Sequence, residues 1–306
     1  MIIGVFPGQG SQSPGFLSPW LDLDDARERL ATYADAAEVD IVAAGTEWDA
    51  DAIRDTKVAQ PLIVAASLLS WHALRDRTDA APRGVAGHSV GEVAALSASG
   101  VLDDEDAMRL VGIRGRAMAD AAALQPTGMS AVLGGDQEAV LTRLAELDLT
   151  PANYNGGGQI VAAGALDALA ALSAEAPLAT RVIPLQVAGA FHTRFMRPAV
   201  DALAAAAAEL SPADPRTTLW TNADGSVVAD GARALELLVG QVAAPVRWDL
   251  IQASFADHEV TGLIEFAPAG TLTGLAKRAL RGVPSVAVKT PDDLDAAVAL
   301  LTEEKE

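Results

Sequence analysis

The sequence predicts an α/β fold built around a mainly parallel sheet, with a small subdomain inserted in it. The first observation is that short apolar, strand-like runs alternate with Ala- and Leu-rich helical stretches over most of the chain, which is typical of parallel strands joined by helices. The second is that the order changes between residues 127 and 189 to strand–helix–strand–strand–helix–strand, the order of a ferredoxin-like unit. We therefore predict a core of residues 1–126 and 190–306 and a subdomain of residues 127–189.

In the core, the first predicted element is a short buried strand at Ile2–Phe6, an apolar run that ends at a proline. The other predicted elements of the first half are a strand at 83–88 and helices at 24–38, 60–76, 90–99 and 103–122. After residue 190 the alternation resumes, with a helix at 199–210 and strands at 217–221 and 262–266.

The inserted segment has its own turn and helix signals. A strand at 129–133 precedes a helix at 137–147, and two strands then meet across Asn155-Gly-Gly-Gly, whose glycines suit a tight turn. A helix at 166–175 and a strand at 181–187 complete the unit.

Composition and charge exclude several classes of protein. Half of the 306 residues (50%) are hydrophobic, enough for a large core, and the absence of Cys excludes disulfides and thiolate metal sites. The chain has 22 basic and 41 acidic side chains, and its formal charge of −19 would repel the phosphates of a nucleic acid. The longest apolar run, residues 62–69, is too short to cross a bilayer, and the first residues lack the basic leader of a signal peptide. We expect a cytoplasmic protein that binds neither nucleic acid nor membranes.

Residues 87–91, Gly-His-Ser-Val-Gly, are the clearest candidate for chemistry. Ser89 would lie on the turn between a strand-like run and a helix-like run. Such a turn, flanked by glycines, lets a serine adopt a strained backbone that pushes its hydroxyl into a cleft and aims the next backbone N–H at an oxyanion. The alternative is a turn without chemistry, because this pattern arises by chance in a chain with 26 glycines. The strand-to-helix setting favours a nucleophile.

A second Gly-rich segment, Pro7-Gly-Gln-Gly-Ser-Gln, follows the first strand. Glycines on both sides of Gln9 allow its backbone N–H to approach a ligand atom closely. The segment lacks the spacing and the lysine of a P-loop, so phosphate binding is disfavoured. We predict that Gln9 donates a hydrogen bond to an oxyanion, with an ordinary turn as the alternative.

Arg114 is predicted to point into the core. It falls in the centre of the apolar stripe of the helix that starts at Asp103, whereas Arg109 and Arg116 fall on the opposite face. Burying a guanidinium is costly unless an acceptor meets it. That acceptor is either an internal Asp or Glu, or the carboxylate of a substrate held by two parallel N–H bonds. The sequence leaves both open.

His192 is the best candidate for a general base among the four histidines. It lies between the last strand of the inserted unit and the following helix, where a side chain can project into a cleft. His72 lies in a helical stretch and His258 in a polar segment, so both are expected to be structural or solvent-facing. His88 adjoins Ser89, but neighbouring positions on a strand point to opposite sides. His192 is thus selected by elimination.

These segments resemble the motifs of a known family. They recur in the same order in malonyl-CoA:acyl carrier protein transacylases and in the wider acyltransferase domains of fatty acid and polyketide synthases. They are Gly8-Gln-Gly-Ser-Gln, Gly87-His-Ser-Val-Gly-Glu, Ile113-Arg-Gly-Arg-Ala-Met, Asn153-Tyr-Asn, Ala190-Phe-His, Gln241 with Pro245-Val-Arg-Trp, and Glu265-Phe-Ala-Pro-Ala-Gly. The resemblance covers about residues 2 to 290, and several spaced motifs in order are far more specific than one turn.

The resemblance implies a role for each matching position. Ser89 is expected to take the malonyl group from coenzyme A as an ester, with His192 as its base and later as the acid for the leaving thiol. The backbone N–H groups of Gln9 and Val90 would form the oxyanion hole. Arg114 would hold the malonyl carboxylate.

Four further positions are implied by the same resemblance. The backbone carbonyl of Gln241 would orient the histidine in place of the aspartate of a catalytic triad. Phe191, Asn155 and Met118 would line the substrate pocket. In the family, a phenylalanine just before the active-site histidine accompanies malonyl rather than methyl-branched acyl groups, since its ring would clash with an extra methyl.

The resemblance also implies a fold, substrates and partners. The family fold is a hydrolase-like α/β core with a ferredoxin-like subdomain, which agrees with the order of elements predicted above. Malonyl-CoA, a coenzyme A thioester, and acyl carrier protein are the expected substrate and partner. No cofactor and no metal ion are expected, and the protein is expected to be a monomer. Fatty acid and polyketide synthesis both remain open.

Two other functions compete with transfer. A serine hydrolase shares the turn around Ser89, but no acid is singled out between residues 89 and 192 to complete a Ser–acid–His order, and a hydrolase has no use for Arg114. A catalytically silent module could recruit carrier protein inside a larger synthase. The presence of Ser89, His192 and Arg114 together disfavours it.

Overall fold

The computed structural model describes residues 1–303 and confirms the predicted fold class. The strands are β1 (Ile2–Phe6), β2 (Gly84–Gly87), β3 (Thr127–Gly134), β4 (Thr150–Gly156), β5 (Gln159–Ala165), β6 (Thr180–Pro184), β7 (Thr218–Leu219), β8 (Gly262–Glu265) and β9 (Ser285–Ala287). The helices are α1 (Ala26–Ala37), α2 (Ile41–Thr46), α3 (Thr56–Arg77), α4 (Gly91–Ala98), α5 (Asp104–Ala123), α6 (Gln137–Glu146), α7 (Leu166–Ala174), α8 (Arg197–Ala208), α9 (Gly231–Gln241), α10 (Trp248–Asp257), α11 (Thr271–Ala279) and α12 (Leu294–Glu303). Within this range every helix is too short or too polar to cross a membrane.

The first sheet contains five parallel strands in the order β7-β2-β1-β8-β9. Every residue of the central strand β1 is buried. Ile2 and Phe6 belong to one hydrophobic cluster, while Ile3 and Val5 belong to a second. Because alternate side chains point to opposite faces, the sheet has a core on each side. A strand buried on both faces needs a continuous apolar run, which is why β1 is recognisable in the sequence.

The second sheet is antiparallel, with the strand order β4-β5-β3-β6. Residues of α6 and α7 pack with residues of β3 and β5 in a separate small cluster. The β4–β5 hairpin turns through Gly156, Gly157 and Gly158, whose φ angles of 72°, 56° and 77° favour glycine. This order of elements is the ferredoxin-like order. The division into domains at residues 127 and 189 stays a prediction.

Hydrogen bonds join the second sheet to the core beside the active-site turn. Tyr154 N–H donates to the carbonyl of Val246 at 2.9 Å, and Val246 N–H donates to the carbonyl of Ala152 at 2.9 Å. Strand β4 is therefore fixed against the segment that precedes α10, and it contributes side chains to the site described below.

Several element boundaries differ from the prediction. Helix α3 begins at Thr56 rather than at residue 60, because the Asp55 side chain caps it by accepting from Lys57 N–H at 3.2 Å, and Pro61 lies inside the helix. Strand β6 ends at Pro184, so the predicted strand at 181–187 is too long. The strand predicted at 217–221 is shortened to β7. The elements without a prediction are α2, α9, α10, α12 and β9.

Candidate active site

Ser89 lies in the tight turn between β2 and α4. Its φ is 54°, a left-handed conformation that costs a non-glycine residue about 1–3 kcal/mol and persists only where the surroundings enforce it. The flanking glycines permit this packing. A Cβ on Gly87 would lie 2.1 Å from the backbone of Gly91, and a Cβ on Gly91 would lie 2.2 Å from the carbonyl oxygen of Phe6. Helix α4 can therefore begin directly against β1.

Asn222 holds the turn from the neighbouring strand. Its Oδ1 accepts from Ser89 N–H at 2.7 Å, and its Nδ2 donates to the carbonyl of Gly87 at 2.6 Å. Asn222 follows β7, which is the neighbour of β2, and the carboxyl ends of neighbouring parallel strands meet at one edge of the sheet. This residue was not predicted.

Ser89 and His192 are brought within hydrogen-bond distance. Ser89 Oγ lies 2.7 Å from His192 Nε2, and His192 Nδ1 lies 2.8 Å from the backbone carbonyl of Gln241. Since a carbonyl only accepts, Nδ1 must carry the proton, which leaves the lone pair of Nε2 facing the serine. Burial, and next the nearby charge of Arg114, lower the pKa of His192 to about 3. The imidazole is therefore neutral and able to accept a proton.

Arg114 is buried, as predicted, with only 1% of its surface exposed. Its two terminal nitrogens donate to amide oxygens, NH1 to Gln60 Oε1 at 2.6 Å and NH2 to Gln241 Oε1 at 2.7 Å. Nε is buried without an acceptor. No carboxylate of residues 1–303 forms an ion pair with Arg114, and burial lowers its pKa to about 10 while the charge of Glu92 opposes that shift. The internal acceptors are thus neutral amides.

Gln241 connects Arg114 to the serine–histidine pair. Its backbone carbonyl accepts from His192, and its side-chain oxygen accepts from Arg114. Its Nε2 donates to the carbonyl of Ser89 at 3.1 Å and to the carboxylate of Glu92. Arg114 and Ser89 are therefore separated by the single side chain of Gln241.

A cavity of about 260 Å³ opens beside Ser89 and His192. Both sheets contribute to its walls, and the predicted residues Gln9, Asn155 and Phe191 line it. Its apolar side chains are Met129, Val161, Leu185, Val187, Phe191 and Leu275. Met118 is not among the described residues that line the cavity. Its side chain is buried instead, with its sulfur 3.4 Å from Gln60 Nε2.

Two backbone N–H groups are available beside the serine. Among the described residues, the N–H groups of Gln9 and Val90 have no protein acceptor. The Gln9 side chain donates to the carbonyl of Arg54 at 3.3 Å, which holds the loop after β1. The preceding residue, Gly8, packs tightly on the turn, because a Cβ there would lie 3.0 Å from His88. The oxyanion hole predicted at Gln9 and Val90 stays a prediction.

The prediction that His88 and Ser89 point to opposite sides of a strand was wrong. Strand β2 ends at Gly87, so His88 and Ser89 belong to the turn, and the alternation of side chains along a strand does not apply to them. Both residues line the same cavity. The His88 ring is nevertheless engaged elsewhere, with Nε2 at 2.8 Å from Asn155 Oδ1, and burial lowers its pKa.

Sequence reasoning missed two buried polar residues around Arg114 besides Asn222. Gln60 is 2% exposed and Glu92 is 3% exposed. A signal existed for each of them. Gln60 interrupts the apolar run of α3, and Glu92 is the single charged residue of α4. A polar group in an otherwise buried stretch requires a partner.

The fold and the site define a class of enzyme that forms esters on a serine. A strained serine at the carboxyl end of a parallel strand, a neutral histidine on its hydroxyl and free N–H groups beside it suit acyl transfer or hydrolysis. Within residues 1–303, no group of three or more His, Asp or Glu side chains is arranged to hold a metal ion. The buried cation beside the serine sets this site apart from a simple esterase.

The chain belongs to the acyl transferase domain family, whose model matches residues 4–299. A malonyl CoA-acyl carrier protein transacylase of Mycobacterium bovis is 54% identical over 297 residues, which cover 96% of this chain and 98% of that protein. The crystal structure of MCAT from Mycobacterium tuberculosis superposes with a TM-score of 0.94 at 54% identity, covering 97% of this chain and 99% of that one. A malonyl-transacylase solved in complex with its type II PKS acyl-carrier protein has a TM-score of 0.90 at 31% identity, covering 97% and 98%.

Proposed function

We propose that this protein transfers a malonyl group from malonyl-CoA to the phosphopantetheine thiol of an acyl carrier protein through an ester on Ser89. The observation that carries the proposal is the placement of a buried guanidinium, without a carboxylate partner, one side chain away from a serine–histidine pair. A site that binds a short acyl group with a terminal carboxylate needs a buried cation close to the nucleophile. Relatives from Mycobacterium bovis and Escherichia coli, 54% and 32% identical to this chain, are named malonyl CoA-acyl carrier protein transacylases.

Ester formation starts at the hydroxyl of Ser89. As Oγ attacks the thioester carbonyl, its proton passes to His192 Nε2, 2.7 Å away, and the imidazolium is stabilised by the carbonyl that accepts from Nδ1. The backbone N–H groups of Gln9 and Val90 then stabilise the oxyanion. When the C–S bond breaks, His192 returns the proton to the departing coenzyme A thiolate. This step leaves the malonyl ester on Ser89.

Arg114 selects the acyl group. Two of its five N–H donors are used by Gln60 and Gln241, and the buried Nε has no acceptor, so a substrate carboxylate would meet free donors there. Arg114 is not among the described residues that line the cavity, and the carboxylate must pass that lining to reach it. A guanidinium matches a carboxylate through two parallel N–H bonds, and such a charge-assisted pair is strong in a buried site. An acyl group without the carboxylate would leave the guanidinium without a carboxylate in direct contact, which is unfavourable in a buried site. Phe191 adds a steric limit at the cavity wall.

The second half-reaction reverses the proton path. The thiol of the carrier protein's phosphopantetheine gives its proton to His192 Nε2 and attacks the ester carbonyl, and Ser89 Oγ leaves with that proton. The apolar side chains of the cavity make it a poor site for a competing water, so a thiol aligned in the cleft has the advantage. No metal or cofactor takes part in the proposed steps. The proposal also includes a monomeric enzyme and a cytoplasmic location, and a chain without cysteine fits a reducing compartment.

Loading and transfer can be measured separately. The purified protein is incubated with malonyl-CoA alone, and intact-mass spectrometry is expected to show one malonyl adduct that Ser89→Ala abolishes. Addition of phosphopantetheinylated carrier protein is then expected to discharge the adduct and to produce malonylated carrier protein. Light scattering on the same sample tests whether the protein is a monomer.

Two results would overturn this assignment. Steady release of free malonate from malonyl-CoA without any acceptor would identify a hydrolase. Absence of an adduct on Ser89, with intact binding of carrier protein, would identify a recruiting module without catalysis.

A further inference from the structure

Glu92 is a buried carboxylate that the steps above do not use. It lies in the first turn of α4, three residues after Ser89, and is 3% exposed. Its Oε1 accepts from the backbone N–H of Asn222 at 2.9 Å, and its Oε2 accepts from Gln241 Nε2. The first partner holds the turn at Ser89, and the second holds Arg114. One carboxylate therefore supports both halves of the site.

The contact with Glu92 decides which way the amide of Gln241 points. With Nε2 donating to Glu92 and to the carbonyl of Ser89, Oε1 must face the other way, and it accepts from Arg114 NH2. A reversed amide would present hydrogens to a guanidinium that has only hydrogens to offer. The correct orientation is therefore a condition for holding Arg114 in place.

We propose that Glu92 is a positioning residue for Arg114, acting through the side-chain amide of Gln241, and thereby determines the preference for acyl groups that end in a carboxylate. This inference rests on the proposed function and deepens it. Asn222 and Gln241 each donate an N–H to Glu92, and a carboxylate can accept from both at once. A neutral amide at position 92 accepts at one atom and donates at the other, so one of the two partners would meet a donor.

Burial makes this carboxylate unusual. Desolvation raises the pKa of Glu92 to about 7, although hydrogen bonds from Asn222, Thr221 and Gln241 and the charge of Arg114 act in the opposite direction. Desolvation disfavours an ionised carboxylate at this position, so the stability of α4 alone does not explain why position 92 carries one. The alignment of the two donors, Asn222 N–H and Gln241 Nε2, does explain it.

The variant that isolates the effect is Glu92→Gln, which keeps the size of the side chain. In this variant the oxygen of the new amide can still accept from Asn222, so the turn at Ser89 is retained, while the NH₂ group of the new amide faces Gln241 and favours the reversed orientation there. Glu265→Gln is the matched control. Glu265 is also a fully buried carboxylate with two N–H donors, those of Leu272 and Thr273 at 2.9 and 2.8 Å, but it contacts neither Gln241 nor Arg114.

Two readouts separate positioning from general stability. The first is the dissociation constant of malonate, with acetate as the reference anion, from the rise in unfolding temperature on titration. The second is the rate at which Ser89 is loaded from malonyl-CoA and from acetyl-CoA, followed by intact mass. For Glu92→Gln we expect the malonate constant to rise and malonyl loading to fall by at least ~10-fold, the effect of one buried donor left facing a donor, with acetyl loading within about threefold of wild type. Glu265→Gln should lower the unfolding temperature without changing the ratio of malonyl to acetyl loading.

The opposite pattern would overturn the inference. Equal losses for both acyl groups in Glu92→Gln, or an unchanged malonate constant, would assign Glu92 to the stability of the fold. If that variant does not fold, Glu92→Asp takes its place. A shorter side chain retains the charge but withdraws it from both Gln241 and Asn222, so both loading rates are expected to fall, malonyl loading by more than acetyl loading. A wild-type protein that neither loads malonyl nor binds malonate would instead refute the proposed function.

Discussion

Replacement of Arg114 by alanine tests the assignment of the acyl carboxylate. The guanidinium is 1% exposed and is held by two amide oxygens at 2.6 and 2.7 Å. Leaving one charge of a buried pair without its partner costs about 3 to 5 kcal/mol. At about 1.4 kcal/mol per tenfold change in rate, malonyl transfer should fall by roughly 100-fold to 5,000-fold.

Acetyl transfer should respond differently to Arg114→Ala. The charge of Arg114 is one cause of the low pKa of His192, second to burial, so its removal raises that pKa and does not weaken the base. We therefore expect acetyl transfer to stay within roughly tenfold of wild type. The assay compares kcat/KM for malonyl-CoA and acetyl-CoA. Arg109→Ala is the control, an exposed arginine on the same helix paired with Asp106, and it should leave both rates unchanged. Equal losses for both acyl groups in Arg114→Ala would refute the reasoning and make Arg114 a scaffolding residue.

Three further predictions concern protonation and packing. Because burial and the neighbouring cation lower the pKa of His192 to about 3, loading of Ser89 from acetyl-CoA should show no acid limb near pH 6.5; a limb centred there would contradict a neutral, buried base. Folding raises the pKa of Glu92 from 4.5 to about 7, so its stabilising contribution is complete below pH 4.5 and is lost as the pH rises through 7. The unfolding free energy of wild type relative to Glu92→Gln should therefore fall by about 3 kcal/mol between those pH values in urea titrations, and a difference independent of pH would argue against this shift. Gly91→Ala should destabilise the fold by about 1–3 kcal/mol or more because its Cβ would lie 2.2 Å from a carbonyl oxygen of β1. Gly274→Ala, whose Cβ has nothing within 4 Å, should be neutral or stabilising, and equal melting temperatures for these two variants would contradict the packing.

The fold could be predicted where local patterns are strong. Strand β1 and helix α5 follow from a continuous apolar run and from an apolar stripe at helical spacing, and both were placed within a residue or two. Strand β7 has two residues, which is too short for any periodic pattern. Helices α9, α10 and α12 were missed although α9 is amphipathic, and the Asp230 side chain that caps α9 by accepting from Arg233 N–H was not recognised.

The site was partly predictable for a similar reason. Ser89 is recognisable in the sequence from the glycines that flank it, and Arg114 from its position on an apolar helical stripe. Gln241 was assigned only through the family resemblance, because nothing local reveals that its carbonyl lies against His192. Asn222 and Gln60 act through contacts with residues far away in the chain, at separations of 133 and 54 residues. Such contacts are properties of the folded chain, and a single sequence does not contain them.

Both sheets contribute residues to the cavity for the acyl group. Ser89 stands at the end of a strand in the parallel sheet, whereas Asn155 and Val161 reach the same space from β4 and β5 of the antiparallel sheet. Substitutions on those two strands can reshape the compartment for the acyl chain while the attacking oxygen keeps its own scaffold. The walls around the acyl chain can thus change on one sheet without rebuilding the serine turn on the other.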